Sequence, residues 1–398
     1  MPTAPRATRF ECLDTLRGLA VLGILMVNIQ FFAMTYVAAD YPYVQGGFDA
    51  PANQAVWWFV QTFFSMKFIT LFSAMFGAGI VLMLGTGDAA HKRHWRRMGW
   101  LLMFGMIHAY VFWYGDILVP YALAGMVVVT ARRMTPLGQV GLGLGLIAFT
   151  GLLMVSGAAI QGLLGDDVSS AEAMGFTAER INDITALYQA GFLDRLPYNM
   201  GNAVMFQLIQ LVFFGGRIAG VMLLGMALFR LGFLTLGWSR ERYMQSAMIA
   251  VPVGLLLCGW SASYALATGF APTSAWMTML AQYVGSLVLA FGYAAVVMLI
   301  CQAGWLQSVT NLLAQTGRMA FTNYLSQTLS MTLVFVGLPG LGLFGQVDRV
   351  GQLIIVLAVW GLQLVWSPLW LARYRYGPLE WAWRSLTYGR RLPLSRSQ

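Results

Sequence analysis

About ten apolar runs follow one another along the chain, each long enough to cross a bilayer, and four ionisable residues lie stranded inside them: Lys67, His108, Asp116 and Arg217. A charge at the centre of hydrocarbon costs about 2.5 kcal/mol or more even on lenient insertion scales. Each such residue therefore needs a partner or a use. Of the 398 residues, 59% are hydrophobic and 10% charged, against about 25% charged in a soluble domain. The reading is all-α: a polytopic transmembrane helical bundle forming a single domain over 1–398. An external amphipathic segment is expected at 164–203 and an aromatic, basic tail at 373–398.

Windows of about 20 residues place the spans near 15–37, 55–85, 98–114, 117–131, 137–163, 204–230, 243–268, 276–301, 318–337 and 351–372. The first is too long for a signal-peptide core of about 7–15 residues and is expected to stay uncleaved. About ten spans put both ends of the chain on one side. The connections and tail there carry Lys92, Arg93, Arg96, Arg97, Arg132, Arg133, Arg230, Arg240, Arg242, Arg318, Arg373, Arg375, Arg384, Arg390 and Arg391. The opposite loops, 38–54, 164–203, 269–275 and 338–350, hold only Arg180, Arg195 and Arg349, together with most of the acids. The bias of basic residues toward cytoplasmic loops then predicts a multi-pass inner-membrane protein with both termini in the cytoplasm. It also explains the formal charge of +9 without any nucleic acid, because these residues orient helices.

Within the external segment, Met174, Phe176, Ile181, Ile184, Leu187 and Tyr188 recur at mostly helical spacing. That predicts an amphipathic helix over 171–196, lying on the outer membrane face or over a cavity; a plain connector is the competing reading. Gly141/Gly145 and Gly216/Gly220 sit four apart and suit close helix crossings. Cys12, Cys258 and Cys301 show neither ligand spacing nor a disulfide framework and read as small apolar fillers.

His108 lies about halfway along the third span and reads two ways, as a hydrogen-bonded packing residue or as a general base near neutral pH. Asp116 falls about 80° around and 12 Å along an ideal helix from it. It is out of reach unless the turn at Gly115 folds it back. His91 and His94 belong to a basic connection and are explained by charge and topology. Arg17 reads as a snorkelling anchor, as a partner of Asp14, or as a cation facing a cytoplasmic cavity. Lys67 and Arg217 lie too deep to snorkel, and Asp116 cannot fully serve both. Cations in excess of acids predict that Arg17, Lys67, Arg217 and Arg318 converge on one wet cavity that receives an anion. In the ninth span Arg318, Thr322 and Ser326 share a helix face and Asn323 adds an amide, which fits either helix–helix hydrogen bonds or a polar wall of that cavity. The segment from Tyr376 to Arg384 suits an interfacial helix on membrane lipid. The chain has no phosphate loop, zinc-ligand spacing, dinucleotide fingerprint or nucleophile elbow, and no metal is expected.

Three blocks carry a resemblance. They are Leu13-Asp14-Thr15-Leu16-Arg17-Gly18-Leu19-Ala20 running to Val27-Asn28-Ile29, the stretch from His108 to Leu118, and Thr316 to Gln327 with the tail Gly377-Pro378-Leu379-Glu380-Trp381. Together they resemble the YeiB-like family of bacterial inner-membrane proteins, a family of unknown function. The first block is also similar to the start of transmembrane acyltransferases such as heparan-α-glucosaminide N-acetyltransferase and the bacterial glycan O-acyltransferases. That resemblance implies transfer of an acyl group from cytoplasmic acyl-CoA or acetyl-CoA to a hydroxyl or amine at the periplasmic side, on a glycan or lipid-linked acceptor. In the glycan enzymes an arginine is followed, with ten residues between, by a histidine; here Arg17 is followed at that spacing by Asn28. The lysosomal enzyme is similar in having asparagine there and uses a lumenal histidine, but the loop 38–54 contains none.

Two functions are therefore carried forward. In the first, a membrane acyltransferase, Arg17, Lys67, Arg217, Arg318 and Asn323 hold the CoA end. Asn28 orients the acyl carbonyl, and His108, steadied by Asp116, is the base. In the second, a transporter or exporter of a small anionic or amphiphilic solute, the same cations form the binding site. A non-enzymatic membrane scaffold is the third, blander reading. The acceptor, the acyl length and the oligomeric state are not written in these residues.

Overall fold

Hydrocarbon offers no water to an unpaired N–H or C=O, so a chain crossing it must close its backbone hydrogen bonds within helices. The computed structural model describes residues 9–84, 89–165, 171–172 and 175–396, and among them no strand forms. The helices are α1 (Arg9–Ala33), α2 (Pro51–Phe63), α3 (Lys67–Leu84), α4 (Ala89–Ile107) with a π turn (His108–Phe112), α5 (Leu118–Val128) and α6 (Pro136–Leu164). There follow α7 (Ala178–Ala190), α8 (Leu196–Ile209) with a second π turn (Gln210–Phe214), α9 (Gly215–Arg230), α10 (Arg240–Ala267) and α11 (Pro272–Ala303). The chain closes with α12 (Gln307–Arg318), α13 (Ala320–Phe335), α14 (Arg349–Arg373) and α15 (Pro378–Tyr388).

Seven stretches among the described residues are long and apolar enough to cross a membrane. The other three expected spans correspond to α4 with its π turn, α5 and α13. Physical reasons set them apart: α4 opens on a charged run, and α5 and α13 have 11 and 16 residues, where about 20 are needed to cross unaided. Several expected spans are also interrupted. The second breaks at Phe64–Met66, where Met66 takes φ +67°, and the sixth passes through the second π turn. The expected face Arg318–Thr322–Ser326 does not exist as one face, because α12 ends at Arg318 and α13 starts two residues later.

Helix α1 is the central element and packs on α3, α12, α13 and α14. At its crossing with α12 the main chains nearly touch: a Cβ on Gly18 would overlap Leu313 O, and one on Gly317 would overlap Asp14 O. Helices α6 and α9 cross at Gly143 and Gly220, not at the expected Gly141/Gly145 pair, neither of which has a neighbour within 4 Å. The register is off by two because Gly141 and Gly145 lie on the opposite side of α6. All three cysteines are buried and free.

Two apolar clusters share the bundle. One gathers the first half of α1 with α3, α5, α9 and α11; the other joins the second half of α1 to Trp113, Tyr188, Phe335 and Val356. The expected long helix over 171–196 is shorter, with α7 spanning Ala178–Ala190; Met174 lies outside the described residues. Its apolar face is used by the protein itself: Ile184 and Tyr188 are buried, and Tyr188 stacks on Phe344 at 4.0 Å. The last helix packs on α4, where Trp383 Nε1 donates to Arg97 O (2.9 Å), and its Arg384 lies within electrostatic reach of Asp14 of α1.

Candidate functional site

The π turn at the end of α4 shapes the site. Inside an α-helix, each carbonyl of 109–112 would accept from the amide four residues on; the wider turn and the extended residue after it leave several of them free. Asn199 of α8 repairs most of this. Its Nδ2 donates to Ala109 O (3.0 Å) and Tyr110 O (2.9 Å), and its Oδ1 accepts from Tyr114 N (3.0 Å). Arg195, just before α8, donates from Nη2 to Phe112 O (2.8 Å) and lies over the rings of Phe192 and Tyr188. Arg195 and Asn199 thus hold the π turn in place. In this part of the protein, outside the spans, burial pulls the Arg195 guanidinium below its usual range.

Beyond the π turn the chain reverses at Trp113–Gly115 and brings Asp116 back, which a straight helix would forbid. His108 Nδ1 and Asp116 Oδ1 are 2.6 Å apart. Asp116 Oδ2 accepts from Val119 N (2.7 Å), fixing the carboxylate at the start of α5. On the other side of the ring, His108 Nε2 lies 2.9 Å from Thr328 Oγ1 of α13. A carboxylate in its ionised form only accepts, and the matching tautomer has the proton on Nδ1 and Nε2 facing the hydroxyl as the acceptor. The three residues are 2%, 1% and 3% exposed and sit where the two apolar clusters meet. Tyr324, one turn before Thr328, lies with its ring 5.3 Å from the imidazole, and its hydroxyl accepts from Ile117 N (3.4 Å). Trp113 lies 6.2 Å from His108 and stacks on Phe32 at 4.1 Å, yet its buried indole N–H has no partner among the described residues. Asn28, one turn before Phe32 on α1, is half-buried and likewise has no hydrogen bond there.

The four cations do not share one hollow. Lys67 opens α3 and donates from Nζ to Gln61 O at the end of α2 (2.6 Å). Arg217 opens α9, donates to Tyr283 O (3.2 Å), Thr70 Oγ1 (3.0 Å) and Ser286 Oγ (2.9 Å), and stacks over Tyr283. These two are neighbours, with Cys258 beside both, and Asp116 serves neither. Arg17 and Arg318 lie at the other place, the end where α1 begins. There Arg17 pairs with Asp14 at 2.6 Å, while the exposed Arg318 and Arg384 also lie within reach of Asp14. Arg97 completes this group between Phe76 and Trp383; burial, then Arg17 and Arg384, lower it to about 10. Asn323 is buried in helix packing, donating to Thr316 O and Ser367 Oγ (both 3.1 Å) and accepting from Trp366 Nε1 (2.9 Å).

The tail block has a structural role. Glu380 of α15 accepts from Phe321 N (2.7 Å), Thr322 N (3.0 Å) and the Thr322 hydroxyl, so its carboxylate caps the start of α13, the helix that carries Thr328. His94 is not a loop residue. It is fully buried in the charged first turns of α4, its Nε2 is 2.9 Å from Gly125 O, and burial lowers it to about 4. Thr328 and Asn199 had no distinguishing mark in the sequence, the polar triple Ser326-Gln327-Thr328 being the nearest signal for the first; Arg195 stood out only as a basic residue among acidic loops, and Trp113 only as part of the block from His108 to Leu118.

The family model described as a protein of unknown function, DUF418, matches residues 228–390. The chain is 32% identical over 398 residues to the uncharacterized protein YeiB of Escherichia coli (strain K12), covering 94% of this chain and 95% of that protein. It is 30% identical over 402 residues to the uncharacterized protein YxaH of Bacillus subtilis (strain 168), covering 96% and 94%. An uncharacterized 39.9 kDa protein from the amylase 3′ region of Bacillus acidopullulyticus is 25% identical over 390 residues, covering 97% and 96%.

Proposed function

We propose a function from one premise: the chain belongs to the YeiB-like DUF418 family of membrane proteins. On that premise we infer a membrane acyltransferase. It takes an acyl group from cytoplasmic acyl-CoA and delivers it to a hydroxyl or amine at the periplasmic side of the inner membrane, with both termini cytoplasmic.

The observation that carries this reading is the hydrogen-bonded chain Asp116–His108–Thr328. A carboxylate, an imidazole and a hydroxyl in that order make a weak oxygen nucleophile reactive at neutral pH. His108 Nε2 takes the Thr328 proton as the oxygen attacks the thioester carbonyl, and Asp116 stabilises the imidazolium. The Oγ1–acyl bond forms, the C–S bond breaks, and the proton passes to the leaving thiolate. An acceptor hydroxyl or amine then attacks the acyl-threonine, and its proton passes through His108 to restore the threonine hydroxyl. The free Trp113 N–H and the Asn28 amide are suited to the developing oxyanion. Arg17, Arg318 and Arg384, gathered around Asp14, with Arg97 within reach of Arg17 and Arg384, suit the CoA phosphates. His108 is sealed in this state, so the reading requires an opening that admits the reactants.

The test is exposure of the purified protein to labelled acetyl-CoA, followed by peptide mass analysis. An acetyl group on Thr328, absent from Thr328→Ala and His108→Gln and chased by native membrane extract, is the expected result. No adduct and no labelled acceptor would refute it. The interrupted helices at Met66 and at both π turns favour a second reading, a transporter of a small anionic solute. Solute flux in proteoliposomes without a labelled product would select that reading.

A further inference from the structure

A second polar site lies at the opposite end of α1 from the arginine cluster. Arg349 opens α14 and is 4% exposed. Its Nη1 donates to Gln30 Oε1 (3.3 Å) and its Nη2 to Ala38 O (3.1 Å), while its Nε has no partner among the described residues. Trp57 of α2 is 6% exposed, and its Nε1 is likewise unpartnered. Arg349 and Trp57 line the same cavity, of about 20 Å³, with Gln30, Gln61 and Gln352; the rest of the wall is aliphatic, from α1, α2 and α14. Two orphaned, buried N–H donors on one small void are unusual, since buried polar groups nearly always find partners.

Arg349 is the one charged residue among those that line this void. Arg349 has no carboxylate within ion-pair distance among the described residues. Asp348, beside it in sequence, is exposed and turned to cap Gly351 N (2.8 Å). The capping carboxylate offsets the helix dipole but leaves the buried guanidinium of Arg349 without an ion pair among the described residues. The guanidinium is further screened from water by the Phe48 ring at 5.2 Å. The void has room for about one small particle, since one water-sized sphere needs roughly 10–15 Å³.

We propose that this cavity binds a single halide ion, chloride under ordinary conditions, held by Arg349 Nε, Trp57 Nε1 and the side-chain amides of the lining glutamines. The ion ties α1, α2 and α14 together and neutralises the buried guanidinium.

The test uses the full-length protein in detergent micelles, brought into sodium gluconate and titrated with sodium chloride or bromide at constant ionic strength. Thermal unfolding is followed throughout. The expected result is a saturable rise in midpoint with either halide; once chloride exceeds its Kd, each tenfold increase multiplies the folding constant by about ten. Arg349→Gln loses the response. Trp57→Phe keeps the ring but not the N–H and weakens the apparent chloride affinity by about tenfold; it carries the test if the arginine variant does not fold. Equal midpoints in gluconate and halide would mean that the cavity holds water only. A response that survives unchanged in the folded variants would place the ion elsewhere. Either outcome overturns the proposal.

Discussion

Two helix breaks inside the bundle carry an ionisable residue, and they treat it in opposite ways. At Phe64–Met66 the carbonyls of Gln61, Phe63 and Ser65 are released, and Lys67 is one of the groups that satisfies them, together with Gln282 and Tyr293. The ammonium is consumed by the main chain. At the π turn, the released carbonyls of Ala109, Tyr110 and Phe112 are satisfied from outside, by Asn199 and Arg195. The imidazole of His108 is thereby left to side chains alone, an acid on one nitrogen and a hydroxyl on the other. A buried charge that repairs backbone explains itself; a buried imidazole released from backbone and joined to a hydroxyl is the arrangement that the proposed chemistry needs.

The sharpest way to break this contrast is Asn199→Ala. It strips partners from two buried carbonyls and one amide, at about 1–3 kcal/mol for each orphaned group. The expected loss is about 3–5 kcal/mol, read as a lower unfolding midpoint, with loss of any acyl transfer. A destabilisation under about 1 kcal/mol would mean that the π turn stands without α8.

His94 sharpens the contrast from another side, as a buried histidine that has a carbonyl but no acid. Its folded value of about 4 lies below the ordinary histidine value of about 6.5, so the unfolded chain binds the proton first. Its contribution is whole above pH ~6.5 and fades as pH falls toward its folded value, with a slope of at most about 1.4 kcal/mol per pH unit. Unfolding curves of His94→Gln across that window should be flatter than those of the native chain; parallel curves would remove His94 from the argument.

A smaller effect belongs to Glu380→Ala, which uncaps the start of α13, two turns before Thr328. About 1–2 kcal/mol of stability should go. Acyl transfer per folded molecule should fall only modestly, because Thr328 is two turns inside the helix. Loss of the adduct altogether would show that the tail does more than hold the helix end.

The sequence made the gross architecture plain. Apolar runs, the division of basic and acidic loops, and the stranded positions of Lys67, His108, Asp116 and Arg217 follow from composition alone. The breaks did not. No proline or glycine marks 108–112 or 210–214, and Met66 takes a left-handed conformation that its residue type disfavours. Asn199 acts on residues 85 to 90 positions away, and Thr328 on one 220 away. Such pairings depend on which helices become neighbours, and hydropathy says nothing about that. The expectation of a single cation cavity failed for related reasons: Lys67 meets a main-chain carbonyl freed by a break, and Arg217 a carbonyl and hydroxyls of neighbouring helices, partners that a sequence does not display.

The most direct measurement pairs His108→Gln with Lys67→Met in the same membranes, following acetyl-CoA consumption and thermal stability together. If the two breaks differ as described, His108→Gln loses about a hundredfold or more in turnover while remaining folded. Lys67→Met then loses about 1–3 kcal/mol of stability and keeps its turnover per folded molecule. Two variants that both lose stability, with turnover per folded molecule unchanged in each, would make His108 one more packing residue.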